Sequence, residues 1–355
     1  MSTTSPRHER RARLRWWNAE QSFGLTTLLL SCALAAGCGS SGATKATSGP
    51  ANIGATASSS RSQVTLRVGD TAGNGSKALL TAAGLLGQLP VGVAWSDFPS
   101  GPPMLQALSA GALDIAGVGD APPVFAAAGG AKIAIVGAFD NNPNKSALIV
   151  PEGSSVHSIA QLRGKKIAVV QGSSADYHLL TVLTKAGLSV HDVHLEYLQP
   201  ADGLAALTSG SVDAWDIWSP FIEQAVTQHR ARILVNGDGY GSNYVFVVAS
   251  RAALADSAKA AAIGDYLKLL DQAQAWANKH PQDWAKVWAS ATGLPPSIML
   301  VAARDATASP VPITSGIVAS EQGLVDAFYA AGLIPRKYGF AAYSYSGFNH
   351  AVAGQ

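Results

Sequence analysis

From position 64 onward, short apolar runs alternate with segments whose apolar residues recur at helical spacing. The runs 64–68, 91–95, 113–118 and 132–139 read as strands, because brief stretches rich in Val, Ile and Leu suit buried strands. Between them the spacing predicts helices over 77–86, 102–110 and 122–128. A second alternating block opens with a strand at 166–170, a helix over 175–185 and strands around Leu195, Val212 and Ile233. After a late strand at 244–249 the pattern is helical, over 256–278, 281–291 and 315–331. Strands alternating with helices imply parallel sheets joined by right-handed crossovers. Two such blocks, linked by extended segments near 147–150 and 239–244, predict an α/β protein of two lobes with a cleft between them.

The first residues follow a different pattern. A basic stretch at 7–15 precedes an apolar run from Phe23 to Gly37 that ends at Cys38. A charged start, an apolar centre of about 7–15 residues and small residues at the cut describe an export signal. The run falls short of the roughly 20 apolar residues a membrane span needs. Ala35-Ala36-Gly37-Cys38 resembles a bacterial lipobox, which would make Cys38 the lipidated first residue of the mature chain. The tract after it, rich in Gly, Ser, Ala and Thr, reads as a flexible tether. The expected division is therefore 1–37 signal peptide, 38–62 tether, 63–147 first part of lobe 1, 148–240 lobe 2, and 241–355 the return of lobe 1 with C-terminal helices.

Composition narrows the function classes. Of 355 residues, 48% are hydrophobic and only 14% charged, which excludes a disordered chain. The net charge of +2 comes from the arginines of the leader; without the first twenty residues the balance is 20 basic to 21 acidic. No basic excess remains to neutralise phosphates, so nucleic acid is not an expected partner. The two cysteines, Cys32 and Cys38, both belong to the leader, so the mature fold is expected to hold neither a disulfide nor a thiolate metal site. His191 and His194 lack neighbouring Cys, and no metal or cofactor is expected.

Candidate chemistry sits at the turns from strand to helix, where open α/β sheets bind ligands. Four turns share a composition: Gly73-Asn74-Gly75-Ser76, Ser100-Gly101-Pro102, Gly119-Asp120-Ala121-Pro122-Pro123 and Gly172-Ser173-Ser174. Each could serve simply as a helix cap, since Ser, Asp and Gly are preferred there. Four helix starts aimed into one cleft would instead form an anion site of backbone N–H groups and helix dipoles. Trp215 and Trp218, beside Asp213, could wall a small-molecule pocket, or one of them could pack as core.

The stretches Trp95–Leu108, Gly111–Ala116 and Gly119–Ala126, then 162–168, Gly172-Ser173, and 212–221, resemble the aliphatic-sulfonate-binding proteins of ABC importers. Relatives of that family bind taurine, nitrate or thiamine precursors. The resemblance implies a type II periplasmic-binding-protein fold that closes over a small organic anion and delivers it to an ABC permease and its ATPase. It further implies an exported monomer, held to the lipid bilayer through Cys38. Carried over turn by turn, it points to Ser76, Gly101, Pro102, Asp120, Ala121, Ser173, Ser174, Asp176, Asp213, Trp215 and Trp218 as ligand-binding residues. Asp176 stands where such proteins often have His, so an amine-bearing substrate becomes conceivable. Nitrate, taurine or a thiamine-type pyrimidine remain alternative ligands. An enzyme on the same two-lobed fold is the alternative of another class.

Overall fold

A computed structural model describes residues 64–73 and 75–352. The signal peptide, Cys38, the tether and Asn74 lie outside the described residues. In chain order, β1 (Thr65–Thr71), α1 (Ser76–Ala82), β2 (Gly92–Phe98), α2 (Gly101–Ser109), β3 (Ile115–Gly119), α3 (Ala121–Ala128) and β4 (Ile133–Asn141) form the first block. The second comprises β5 (Ser146–Pro151), β6 (Lys166–Val169), α4 (Ser174–Lys185), β7 (His194–Tyr197), α5 (Pro200–Thr208), β8 (Ala214–Trp218), α6 (Phe221–Gln228) and β9 (Ala231–Asn236). The return runs through β10 (Tyr244–Ser250), α7 (Arg251–Ala255), α8 (Ser257–Lys279), α9 (Pro281–Thr292), α10 (Pro296–Asp305), β11 (Ala308–Val311) and α11 (Ser315–Ala330).

These strands form two sheets, in the orders β11-β4-β10-β3-β1-β2 and β7-β6-β8-β5-β9. The expectation of parallel sheets holds only within the blocks: β1 pairs parallel with β2 and β3, and β6 with β7 and β8. β10 runs antiparallel between β3 and β4, and β5 antiparallel between β8 and β9. The reason is connectivity. A helical crossover returns a strand to the same end of its sheet, whereas β5 and β10 enter directly from the other sheet and so run the opposite way.

The chain passes between sheets at 142–145 and again at 237–243, and the two passages lie side by side. The Asn141 N–H donates to the Asn243 carbonyl at 2.9 Å. A Cβ on Gly237 would stand 2.0 Å from the Pro143 carbonyl oxygen, so this approach requires glycine.

Both sheets are buried on two faces, as their apolar strands require. Along β10, Phe246 and Val248 pack toward α2, α3 and α11, while Val247 and Ala249 pack toward α8 and α9. In β5, Leu148 and Val150 face α4, and Ala147 and Ile149 face the side of α5 and α6. The sequence pattern misses α5, α6, α10 and β11. Each is short, and β11 carries Pro310, tolerated because this strand lies at the sheet edge.

Asp114, buried just before β3, ties the return helix to the first block. Its carboxylate accepts from the Arg67 N–H at 2.9 Å, the Arg67 guanidinium at 2.7 Å and the Lys259 ammonium of α8 at 2.8 Å. Burial alone would raise its pKa, but the bonds from Arg67 and Lys259 outweigh burial and hold it below 3.8. Arg67 is 41% exposed, so solvent screens part of the attraction. Asp114→Asn is expected to destabilise the chain by about 1–3 kcal/mol in urea unfolding at pH 7. A depressed carboxyl stabilises above its ordinary pKa and loses that contribution as pH falls through the folded value, so the gap to wild type should close below pH 3.8.

Candidate ligand-binding site

A cavity of about 290 Å3 lies where the carboxyl ends of β1, β3 and β8 meet the two passages between the sheets. Side chains of both sheets wall it. Ser100 before α2 donates to the Gln199 carboxamide oxygen before α5 at 2.8 Å, joining the two sides. Gly119 permits a second approach, since a Cβ there would meet the Ser174 hydroxyl at 2.0 Å.

The four helix starts are not equivalent. At α1 the Asp70 carboxylate already accepts from the Ser76 N–H at 2.8 Å and the Lys77 N–H at 2.9 Å. At α3 the Asp120 carboxylate takes the Ala121 N–H at 2.8 Å, and Pro122 and Pro123 have no N–H to offer. These two starts therefore present capping carboxylates to the cavity rather than amides. Burial raises the pKa of both, against the pull of their amide and hydroxyl donors. α2 begins with Gly101 and no side-chain cap, and its next two residues are prolines, so Gly101 carries the one amide of that first turn. α4 begins with Ser174 and Ala175, whose amides precede the first intrahelical bond. Anion-binding capacity thus concentrates at α2 and α4.

Of the residues expected at the site, Ser76, Gly101, Asp120, Ser173, Ser174 and Trp218 line the cavity. Pro102 and Ala121 stand one residue behind the lining, Ala121 buried in the core. Asp176 turns back to the Gly172 N–H at 2.8 Å; burial, with the nearby Asp216 carboxylate, pushes its pKa to about 7. Asp213 lies at the start of β8, away from the cavity, where it accepts from the Lys166 N–H at 2.9 Å and pairs with Lys165.

Trp215 is fully buried beside Phe221 and does not touch the cavity. The two indoles belong to one strand, not to a helix start. Three residues apart on a strand, they point to opposite faces.

Among the lining residues that escaped the sequence reading are the ionisable Asp70, Lys145 and His178. Lys145 lies in the first passage, its ammonium 3.2 Å from the Asn141 carboxamide oxygen. Burial lowers its pKa to about 8, against the attraction of Glu223. Ser174 and His178 are four residues apart on α4 and so share its cavity face, a spacing legible in the sequence.

The buried His178 ring places Nδ1 2.8 Å from Asp216 and Nε2 3.1 Å from the Asn236 carbonyl. The Asn236 carbonyl accepts from Nε2–H, and Nδ1 shares its hydrogen bond with the Asp216 carboxyl. Burial opposes a charge on the ring, but Asp216 and the Asn236 carbonyl outweigh it and raise the pKa above 6.5. Among the described residues no group of three or more His, Cys, Asp or Glu could hold a metal ion.

Two lobes closing on a small cavity, with neutral donors at helix starts and an indole in the wall, define a two-lobed solute-binding-protein fold. The chain belongs to the NMT1-like family, whose match spans residues 82–293. It is 34% identical to the putative aliphatic sulfonates-binding protein of Escherichia coli K12 over 246 residues, covering 69% of this chain and 76% of that one. The alkanesulfonate-binding protein SsuA from Xanthomonas axonopodis pv. citri, solved bound to MOPS, superposes with a TM-score of 0.76 at 34% identity, covering 80% of this chain and 99% of that one. The desulfurization enzyme DszB shares the fold alone, at 16% identity and a TM-score of 0.58 over 82% of this chain and 99% of that one.

A raised imidazole pKa stabilises the fold below the ordinary value and loses that contribution as pH climbs through the folded value. His178→Asn should therefore lower the melting temperature more at pH 6 than at pH 9, as thermal denaturation followed by circular dichroism would record.

Proposed function

We propose that this protein is the solute-binding component of an ABC importer and captures an aliphatic sulfonate. The observation that carries the reading is the cavity itself, walled from both lobes by the uncapped start of α2, the start of α4 and Trp218. A sulfonate is a monoanion with three acceptor oxygens, and it suits amide and hydroxyl donors at helix starts better than it suits a carboxylate. The similarity to sulfonate-binding relatives over both lobes supports the same assignment.

Lobe 1 is residues 64–145 with 244–352 and lobe 2 is residues 146–236, so the expected boundary at 147 falls inside β5 and moves back to the passage before it. They open and close about the paired passages at 142–145 and 237–243. The protein binds without chemistry. His178, the one imidazole in the cavity wall among the described residues, has both ring nitrogens engaged inside the protein, by Asp216 and by the Asn236 carbonyl, which leaves neither to serve a ligand as a base. Export and lipidation at Cys38 complete the proposal and hold the binding lobes beside a membrane permease and its ATPase.

Calorimetric titration of the full-length chain with ethanesulfonate, nitrate and a thiamine-type pyrimidine tests the ligand class. One-to-one binding of ethanesulfonate at about micromolar affinity is expected, roughly −8 kcal/mol. Trp218→Ala should weaken it on the order of 10-fold, and Trp215→Phe should leave it unchanged. Heat from nitrate or the pyrimidine alone would move the ligand to another branch. Cys38→Ser should shift the protein from the membrane fraction to the soluble fraction of expressing cells.

A further inference from the structure

Behind the cavity wall two acids meet in the interior of lobe 1. Glu321 lies on α11, fully buried, and neither of its carboxyl oxygens has a hydrogen-bond partner. It does not line the cavity. Its electrostatic neighbour is Asp120, the buried carboxyl that caps α3 and does line the cavity. The Ser242 hydroxyl, in the second passage, donates to Asp120. While its one proton is there, Ser242 can offer Glu321 only a lone pair. An ionised Glu321 would sit beside a second acid without a donor, whereas a protonated one becomes a donor facing acceptors. Burial, then Asp120, raise the Glu321 pKa well above 4.5, against the pull of the Ser242 hydroxyl. Tyr177 of α4, Tyr244 of β10 and Tyr338 stand near enough to feel the Glu321 charge, and His178 that of Asp120. The cations of the C-terminal segment are engaged elsewhere: Arg336 donates to the Ala127 and Ala128 carbonyls, and Lys337 pairs with Asp326.

Lobe 2 closes over this pair. Tyr177 packs on Phe328 with ring centroids 5.6 Å apart, and Phe328 follows Glu321 by seven residues, two turns along the same face of α11. Burial raises the Asp120 pKa, and the hydroxyls of Ser174, from lobe 2, and Ser242 oppose it. We propose that Asp120 and Glu321 hold one proton between them while the lobes are together, and that this proton couples ligand capture to pH. The inference rests on the sulfonate reading only in taking ethanesulfonate as the ligand that draws the lobes together. When lobe 2 moves away, Ser174 and Tyr177 leave with it, water reaches Asp120, and the two acids ionise more easily. Closing then takes up a proton, so capture is favoured at low pH and weakens as pH rises. Glu321 touches no ligand and acts through Asp120, as a positioning residue.

The test is calorimetric titration of the full-length chain and of its Glu321→Gln variant with sodium ethanesulfonate from pH 6 to pH 9. Across that range the wild-type dissociation constant should rise about 10-fold more than that of the variant, as one pKa unit between open and closed states would give. Lys145, Asp176 and His178 remain in both proteins, so the difference between the two profiles isolates Glu321. Parallel profiles would overturn the proposal. Thermal denaturation without ligand is the second readout. A carboxyl whose pKa rises on folding costs stability as pH climbs from its ordinary value toward its folded one, and Gln is spared that loss. The gain in melting temperature of Glu321→Gln over wild type should therefore grow from pH 5 to pH 8, and a constant difference would overturn the shared proton. If that variant does not fold, Ser242→Ala, outside the cavity lining, takes a donor from Asp120 and should move the fall in affinity to higher pH. An unmoved profile would overturn the coupling. Failure of ethanesulfonate to bind at any pH would overturn the sulfonate reading, and the melting comparison would still decide the proton.

Discussion

The structure depends on the paired passage of the chain between its two sheets. β4 runs into β5 through 142–145, and β9 runs into β10 through 237–243, with the backbones in contact at Asn141, Asn243, Pro143 and Gly237. Each passage delivers a strand to an interior position of the receiving sheet, β5 between β8 and β9 and β10 between β4 and β3. Each sheet thus holds one interior strand that the chain enters directly from the other sheet. The two sheets are thereby joined along the paired passages. Lys145 rides on this edge and lines the cavity, so the passage is also part of the cavity wall.

Electrostatics divides the cavity. Asp70 and Asp120 occupy the helix starts at α1 and α3, and their burial raises both pKa values. The dipoles of those helices are spent on internal carboxylates, which leaves α2 and α4 for a ligand. The His178–Asp216 pair ties α4 to β8 and, through the Asn236 carbonyl, to the entrance of the second passage. Ser174 therefore lines the cavity on a helix that is tied to its own sheet.

The helical return has two structural roles. α8 anchors to the first block through Lys259 and Asp114, and the same helix presents Tyr266 and Leu270 to the cavity. The anchor and the cavity lining lie seven and eleven residues apart, on one face of this helix.

Much of this was legible along the chain. The strand runs at 64–68, 113–118, 132–139 and 166–170, and the helices that follow them, come from periodicity, because burial on two faces or one stripe leaves its mark on local sequence. The turns holding Gly101, Asp120 and Ser173 were legible for the same reason, since caps are local. The directions of β5 and β10 were not, because they depend on which sheet a strand joins. Nor was the fate of the four helix starts: Asp70 reaches the α1 amides from the end of β1, and no spacing shows that it has taken them. Trp215 and Trp218 separate only once they are known to lie on one strand, whose period of two sends one inward and one to the cavity. Asp213, at the far end of that strand, falls away for the same reason. The stripes of α8 and α9 read simply as core, and only the packing of those helices over the open ends of the strands turned part of that core into a cavity wall.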